Sequence, residues 1–471
     1  MSDELCRLTL TEVADGIRQK RFSSLEVTEA CLDQTARHQD LNAFITLDPE
    51  AARAAARVAD AALSQAGPGG VLHGVPLAHK DMFYRAGRIS TCGSRIRQDV
   101  VADRTATVLN RLDAAGALEL GTLSMAEFAA GATGHNATFG DCLNPWDHRH
   151  TPGGSSTGSA VGLAARLFYG ALGSDTGGSV RLPAYFCGVA GLRPTYGRVS
   201  RYGIMPRCWS ADAVGPLART VRDLARLLGV IAGPDPTDPS TAQVAVPDYE
   251  ASLEAPLKGR RIGTTMNFFH DNIGPEMQAL LSQSLEVFRD LGADIVELAV
   301  PDPERWFAQA QIILKSEAAA LHQRWIQERP GDYSEGIRSE MEAGLFIPAA
   351  LYLNALRSRG PALDEFLDHV FSQVDLLHTP VYEYATPTMA ACNPEQADGA
   401  AHVMATFGRL TRPFSYLGLP ALVVPGGFLD GLPSGFQLVG RPFAEALVLN
   451  AGHLYQRETE WHLKVPGGMF S

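Results

Sequence analysis

Lysine is scarce in this chain: of 40 Lys and Arg side chains only five are lysines, Lys20, Lys80, Lys258, Lys315 and Lys464. Positive charge as a whole is in deficit, with 52 Asp and Glu giving a formal net charge of −12 over 471 residues. That balance argues against an electrostatic nucleic-acid or anionic-membrane partner. Long apolar runs are missing too. The longest uncharged stretch late in the chain, Pro413 to Leu429, holds three prolines and three glycines and reads as strand and turn, not as a bilayer span. The opening Met-Ser-Asp-Glu-Leu-Cys-Arg lacks a basic region followed by an apolar core, so no secretory signal is expected and a cytoplasmic location is. Seven cysteines without any C-x-x-C pair support neither a zinc cluster nor a disulfide framework, and predict reduced thiols. Hydrophobic residues at 45% and charged residues at 20% are globular values that leave no room for long disorder.

What is present suggests an α/β layer fold. Thr9-x-x-Glu12 and Ser23-x-x-Glu26 have capping-box spacing ahead of apolar positions at helical intervals, and Asp48-Pro49-Glu50 opens an Ala-rich helix ending near Gly67. Residues 1–70 therefore read as a helical N-terminal layer. Strand-like segments follow at Leu72–Leu77, Ala117–Leu120, Arg261–Thr264, Ala293–Val300, Val374–Leu377 and Ala421–Val424, with helical stretches between them. Gly233-Pro-Asp-Pro-Thr-Asp-Pro-Ser240 is the best linker candidate, but strand patterns continue on both sides, so one domain over 1–471 is expected.

Lys80 is the only lysine between Lys20 and Lys258, and it follows the apolar Val75-Pro-Leu-Ala. Arg cannot give up its proton in a protein, whereas a desolvated Lys can. Retaining Lys in an Arg-rich chain is consistent with a need for a neutral amine; a buried Lys–Asp pair would explain it as well. Residues 151–179 are the other unusual feature, since 16 of those 29 positions are Gly, Ser or Thr. Gly153 to Gly158 has phosphate-loop glycine spacing, but Ser159 stands where the lysine belongs and no strand precedes it. Gly154-Ser-Ser156-Thr-Gly158 matches a nucleophile elbow, with His402, His453 or His462 as partners, and lacks the same strand. Asp175-Thr-Gly177 has no second copy to complete an aspartic dyad. His148 and His150, with His73 or His79, lie at neither strand nor helical ligand spacing.

A serine nucleophile working without histidine remains. Ser179 follows Gly177-Gly178, where consecutive backbone N–H groups can converge as an oxyanion hole. Ser155 lies in another glycine turn, and a neutral Lys80 could take a proton through one hydroxyl from the other. Tight packing of a Gly-rich loop against a helix would explain the same glycines.

Gly153-Gly-Ser-Ser-Thr-Gly-Ser-Ala160 followed by Gly173-Ser-Asp-Thr-Gly-Gly-Ser-Val-Arg-Leu-Pro183 resembles the signature of the amidase signature family. Gly74-Val-Pro-Leu-Ala-His-Lys-Asp81, Cys187 to Ser200, Ser210-x-Asp212-x-x-Gly-Pro216 and Gly435 to Phe443 extend the resemblance over nearly the whole chain. The resemblance implies a mixed β-sheet sandwiched between layers of α-helices. It further implies hydrolysis of a carboxamide through an acyl-enzyme, releasing ammonia or an amine, with no cofactor and no metal. By it Ser179 would be the nucleophile, Ser155 a bridging serine preceded by a cis peptide, and Lys80 the general base and then acid. Thr176, Gly177, Gly178 and the Ser179 amide would form the oxyanion hole, Gly131, Ala132 and Thr133 would meet substrate, and Asp175 and Arg181 would hold the loop. Thr157 departs from the Gly or Ser usual after the serine pair.

The implied partner is a small amide, with no direct nucleic-acid binding, no membrane, and a homodimer by analogy. Two readings of the substrate compete. One is a free-standing amidase; the other resembles the glutamine-hydrolysing component of a tRNA-dependent amidotransferase. Phe407-Gly-Arg-Leu-Thr-Arg412 lacks the carboxylate expected there in that component, and Gly131-Ala-Thr-Gly-His-Asn136 replaces a more polar run, which favours the free-standing enzyme. A hydrolase of small acidic urea-type amides is a third reading, with Arg201 and Arg207 available to a carboxylate. Met82, Phe83, Tyr84, Phe128, Tyr202, Met205 and Trp209 are candidate pocket aromatics and apolar groups.

Overall fold

The computed structural model describes residues 2–393 and 396–470. Its centre is one mixed sheet of eleven strands between helical layers. The strands are β1 (Phe44–Leu47), β2 (Pro76–Lys80), β3 (Leu118–Leu123), β4 (Gly170–Asp175), β5 (Ala190–Arg193), β6 (Ala213–Ala218), β7 (Arg261–Thr265), β8 (Asp294–Leu298), β9 (Leu376–Pro380), β10 (Ala421–Leu429) and β11 (Leu432–Val439). They lie in the order β1-β3-β2-β4-β6-β5-β10-β11-β9-β7-β8.

The N-terminal helices start where their caps predict. Thr9 and Ser23 each accept from the amide three residues on, while Glu12 and Glu26 reach back to the cap amide. Residues Leu10, Val13, Ala14 and Ile17 of the first of these helices are buried, at the i, i+3, i+4, i+7 interval. Asp48 caps the helix Pro49–Ala66. Between them β1 interrupts the expected all-helical stretch: Phe44–Leu47 pairs antiparallel with β3 at the sheet edge. The uncharged stretch from Pro413 also begins as helix, Arg412–Leu417, before it becomes β10.

Five strands escape a reading by periodicity: β1, β4, β5, β6 and β11. Three of them, Gly-Ala-Leu-Gly-Ser-Asp, Ala-Gly-Leu-Arg and Ala-Val-Gly-Pro-Leu-Ala, are buried along their whole length and carry small residues, so neither alternation nor a β-branched run marks them. The linker candidate is no loose tether. Asp235 accepts from the hydroxyls of Thr107, Ser200 and Thr237, and Asp238 from Ser240 and the Arg201 amide. All seven cysteines are buried free thiols. Among the described residues no helix is long and apolar enough to cross a membrane.

One piece of register positions the site. β2 runs parallel to β4, with His79 opposite Leu172, so Lys80 and Ser174 leave the sheet at the same carboxyl edge. Loops following parallel strands form a crevice at that edge.

Candidate active site

Lys80 closes β2 and is fully buried. Its Nζ lies 2.7 Å from Ser155 Oγ and 2.9 Å from Ser174 Oγ. Burial pulls the amine down to about 7, against the opposing charges of Asp212 and Asp175. Near neutral pH it therefore exists in both protonation states. Ser155 follows a cis Gly154–Ser155 peptide, and its carbonyl accepts from the Ala126 amide. The next residue, Ser156, donates its amide to the carbonyl of Ser179 at 3.2 Å. That bond ties the turn carrying Ser155 to the turn carrying Ser179.

The second turn leaves β4 at Asp175. The Asp175 carboxylate accepts from Arg181 Nε and Nη2, both at 3.0 Å, from the Gly178 amide at 2.9 Å and from the Val180 amide at 3.3 Å. Arg193 donates to its carbonyl and carboxylate. Burial by itself would raise this carboxyl, but the two guanidinium groups hold it well below the usual range. Arg181 also reaches the Thr411 carbonyl, Ser415 and Gln437, so one buried ion cluster joins the turn to two distant segments. Thr176 donates to Asp212, whose other oxygen accepts from the Arg207 and Cys208 amides.

Two glycines in this turn answer to close approach. A Cβ on Gly177 would lie 2.9 Å from Arg412 Cγ, and one on Gly178, whose φ is +130°, would collide with Thr411 Oγ1. Segment 407–412 thus closes over the turn, and Thr411 donates to the Gly177 carbonyl at 2.6 Å.

Ser179, half-buried, opens into a cavity of about 360 Å³. Gly131, Ala132, Gly154, Thr176 and Gly177 lie beside it; Leu182, Leu314, Met404 and Phe407 give the apolar wall. Four charged groups complete the lining: Arg207, Lys315, Glu340 and Arg412. Arg207 is buried and pairs with Glu340 at 2.6 Å. Arg412 is partly buried, its Nε has no partner among the described residues, and burial lowers it only to about 10, so it stays cationic at neutral pH.

Several expectations from sequence need correction. Gly178, expected in the oxyanion hole, gives its N–H to Asp175, whereas the Thr176, Gly177 and Ser179 amides have no partner among the described residues. Thr133 does not line the cavity; its carbonyl accepts from Thr151. Arg201 is turned away onto Tyr196 and Ser240, unlike Arg207. Of the expected pocket side chains none lines the cavity: Phe128 stacks on Trp325, Met82, Phe83 and Met205 are core, Tyr84 and Tyr202 lie under Arg97 and Arg104, and Trp209 is 41% exposed. His148 faces Asp40 and His150 faces Asp147. Thr157 donates to the Gly153 carbonyl at the start of helix Thr157–Ala164, so its departure from the family pattern fits the turn. Reasoning from sequence misses Ser174, Arg193, Lys315, Glu340 and Arg412 as site residues. Ser174 and Arg193 lie inside the matched motifs; Lys315 and Glu340 sit on helices that carry no motif.

Comparison with known proteins converges on the same chemistry. The Amidase family model matches residues 26–449. The A subunit of the glutamyl-tRNA(Gln) amidotransferase from Chloroflexus aurantiacus is 40% identical over 98% of this chain and 99% of its own. Among solved structures, a chain from a vestigial protein complex that reveals the evolutionary origins of an s-triazine catabolic enzyme superposes with a TM-score of 0.89 at 35% identity, covering 96% of this chain and 98% of that one. The peptide amidase of Stenotrophomonas maltophilia superposes with a TM-score of 0.83 at 29% identity over 98% and 99%. The similarity to curated proteins runs to the amidotransferase, the reading that the sequence motifs place second. A Lys and two serines gathered at one sheet edge, beneath an open cavity and within a family-wide match, make this chain a member of the amidase signature family, enzymes that hydrolyse amide C–N bonds.

Proposed function

We propose that this amidase hydrolyses a small carboxamide that itself carries a carboxylate, through an acyl-enzyme on Ser179. The observation that carries the reading is the placement of Arg207 and Arg412 in the cavity onto which Ser179 opens. Arginine presents a planar fork that matches a carboxylate, and in a partly desolvated site such a pair orients as well as attracts. Apolar Leu182, Leu314, Met404 and Phe407 leave room for a short acyl chain between that anchor and the nucleophile.

Neutral Lys80 accepts the Ser155 hydroxyl proton while Ser155 accepts that of Ser179, whose Oγ attacks the amide carbon. The Gly177 and Ser179 amides receive the developing oxyanion. Collapse of the tetrahedral adduct breaks the C–N bond, and the proton held by Lys80 returns through Ser155 to the departing nitrogen, so ammonia or an amine leaves. Water repeats the sequence on the acyl-enzyme and frees Ser179 with the carboxylic acid.

Both glutamine and small acidic urea-type amides satisfy this chemistry. The full-length similarity to the A subunit of an amidotransferase favours glutamine, with ammonia passed to a partner protein. The test is ammonia release by the purified chain from glutamine, succinamate and their neutral isosteres. We expect kcat/KM at least about tenfold higher for the anionic amides, from one charge-assisted bidentate contact. Preference for the neutral amides would overturn the reading. Glutamine turnover that emerges only on adding the other amidotransferase subunits would select that branch.

A further inference from the structure

Away from the active site, a second cavity of about 200 Å³ lies where the N-terminus, the C-terminal tail and the start of helix Val221–Ile231 meet. Arg7, Arg166, Arg219 and His462 line it, together with Thr9 and Thr220. Arg166 is 6% exposed and Arg219 3%. Their donors are not used up: Arg166 Nε, Arg219 Nε and Nη2, and His462 Nδ1 are buried without a hydrogen-bond partner among the described residues. Arg219 spends only Nη1, on the carbonyls of Cys6 and Arg7, and Arg166 only Nη2, on that of Lys464. Thr9 and Thr220 are the N-caps of helices Leu10–Arg18 and Val221–Ile231, so two positive helix ends open toward the same space. Against them stands one buried carboxylate, Asp223, whose Oδ1 accepts from the Thr11 amide and whose Oδ2 has no partner among the described residues. Exposed Glu12 serves its own cap.

Unpaired buried guanidinium donors are costly, and three arginines that repel one another are more so. Burial and the neighbouring Arg219 and Arg7 charges drive Arg166 well below its ordinary range, which an anion between them would reverse. A planar carboxylate has two oxygens in one plane, whereas these donors come from the N-terminal helices, from the loop at Arg166 and from the tail at His462. We propose that this cavity is a binding site for a phosphate group, held by Arg7, Arg166, Arg219 and His462 and independent of the catalytic site.

Isothermal titration of the intact protein, at constant ionic strength, tests this with inorganic phosphate, glycerol phosphate and acetate. We expect saturable binding of at least one phosphate probe with Kd below about 1 mM, acetate at least about tenfold weaker, and a further loss of about tenfold in Arg7→Gln and Arg166→Met. Tighter binding of glycerol phosphate would mark an esterified phosphate as the ligand, and tighter binding of inorganic phosphate the free ion. Arg219 also supports the N-terminal helix, so Arg7→Gln, at the exposed rim, serves as the variant that keeps the fold, checked by circular dichroism. Absence of saturable binding in the wild type, equal binding of acetate, or unchanged affinity in both variants would overturn the proposal.

Discussion

The two sides of the catalytic cavity are built on opposite principles. Around Lys80 and Asp175 every charge is buried and partnered, and Lys80, Asp175 and Arg193 each close a strand. Across the cavity Lys315, Glu340 and Arg412 sit on helices, partly exposed, and Arg412 keeps a free donor among the described residues. A buried network in which every ion is paired fixes geometry, even though Arg193 Nε has no partner among the described residues, and acyl transfer requires that geometry within a fraction of an ångström. A partly wet charged wall can be altered without disturbing that network. In the proposed reaction the first side would carry the chemistry and the second the choice of substrate.

Substitutions can break this division, and the largest effect should come from Ser179→Ala. It should lower kcat by about 10⁴-fold or more with Tm unchanged, measured by ammonia release and calorimetry. A comparable loss of stability would mean that Ser179 is structural. Next, Arg181→Met leaves Asp175 buried with half its ion partners, and denaturant unfolding should show about 3 kcal/mol of destabilisation. Survival of full stability would show that Arg193 alone suffices.

On the other wall, Arg412→Gln should lower kcat/KM for anionic amides by about 30-fold, mostly through KM, and leave neutral amides untouched. An equal loss on both substrate types would erase the distinction between the walls. The smallest effects concern pH. With Lys80 near 7, kcat/KM should fall about tenfold per pH unit below that value, because the protonated amine cannot accept a proton. The sign for stability is opposite to that of a paired lysine. The unfolded chain holds a proton on Lys80 up to its ordinary 10.5, the folded chain only to about 7, so stability rises with pH between them. Compared with Lys80→Met, the wild type should gain about 1 kcal/mol per pH unit over that window.

Local signals are legible where one residue type solves one local problem. Thr9, Ser23 and Asp48 cap their helices because the orphan amides are within a few bonds. The amidase motifs are legible because Lys80, Ser155 and Ser179 each stand in an unusual local context, although the last lies 99 positions beyond the first. Small-residue strands such as β4 and β6 are not, since their burial comes from neighbours on both faces and leaves no period in the chain.

From the sequence alone came the family, the class of bond its members break and the candidate reacting side chains, because bond-making needs particular functional groups and the glycines that let backbone approach them. Tertiary structure alone decided which charges face the cavity. Arg207 and Arg201 lie six residues apart and look equivalent, yet one is drawn into the cavity by its amide on Asp212 and its pairing with Glu340, while the other is held outside by Tyr196 and Ser240. A long side chain goes where its partners are, and those partners come from distant parts of the chain.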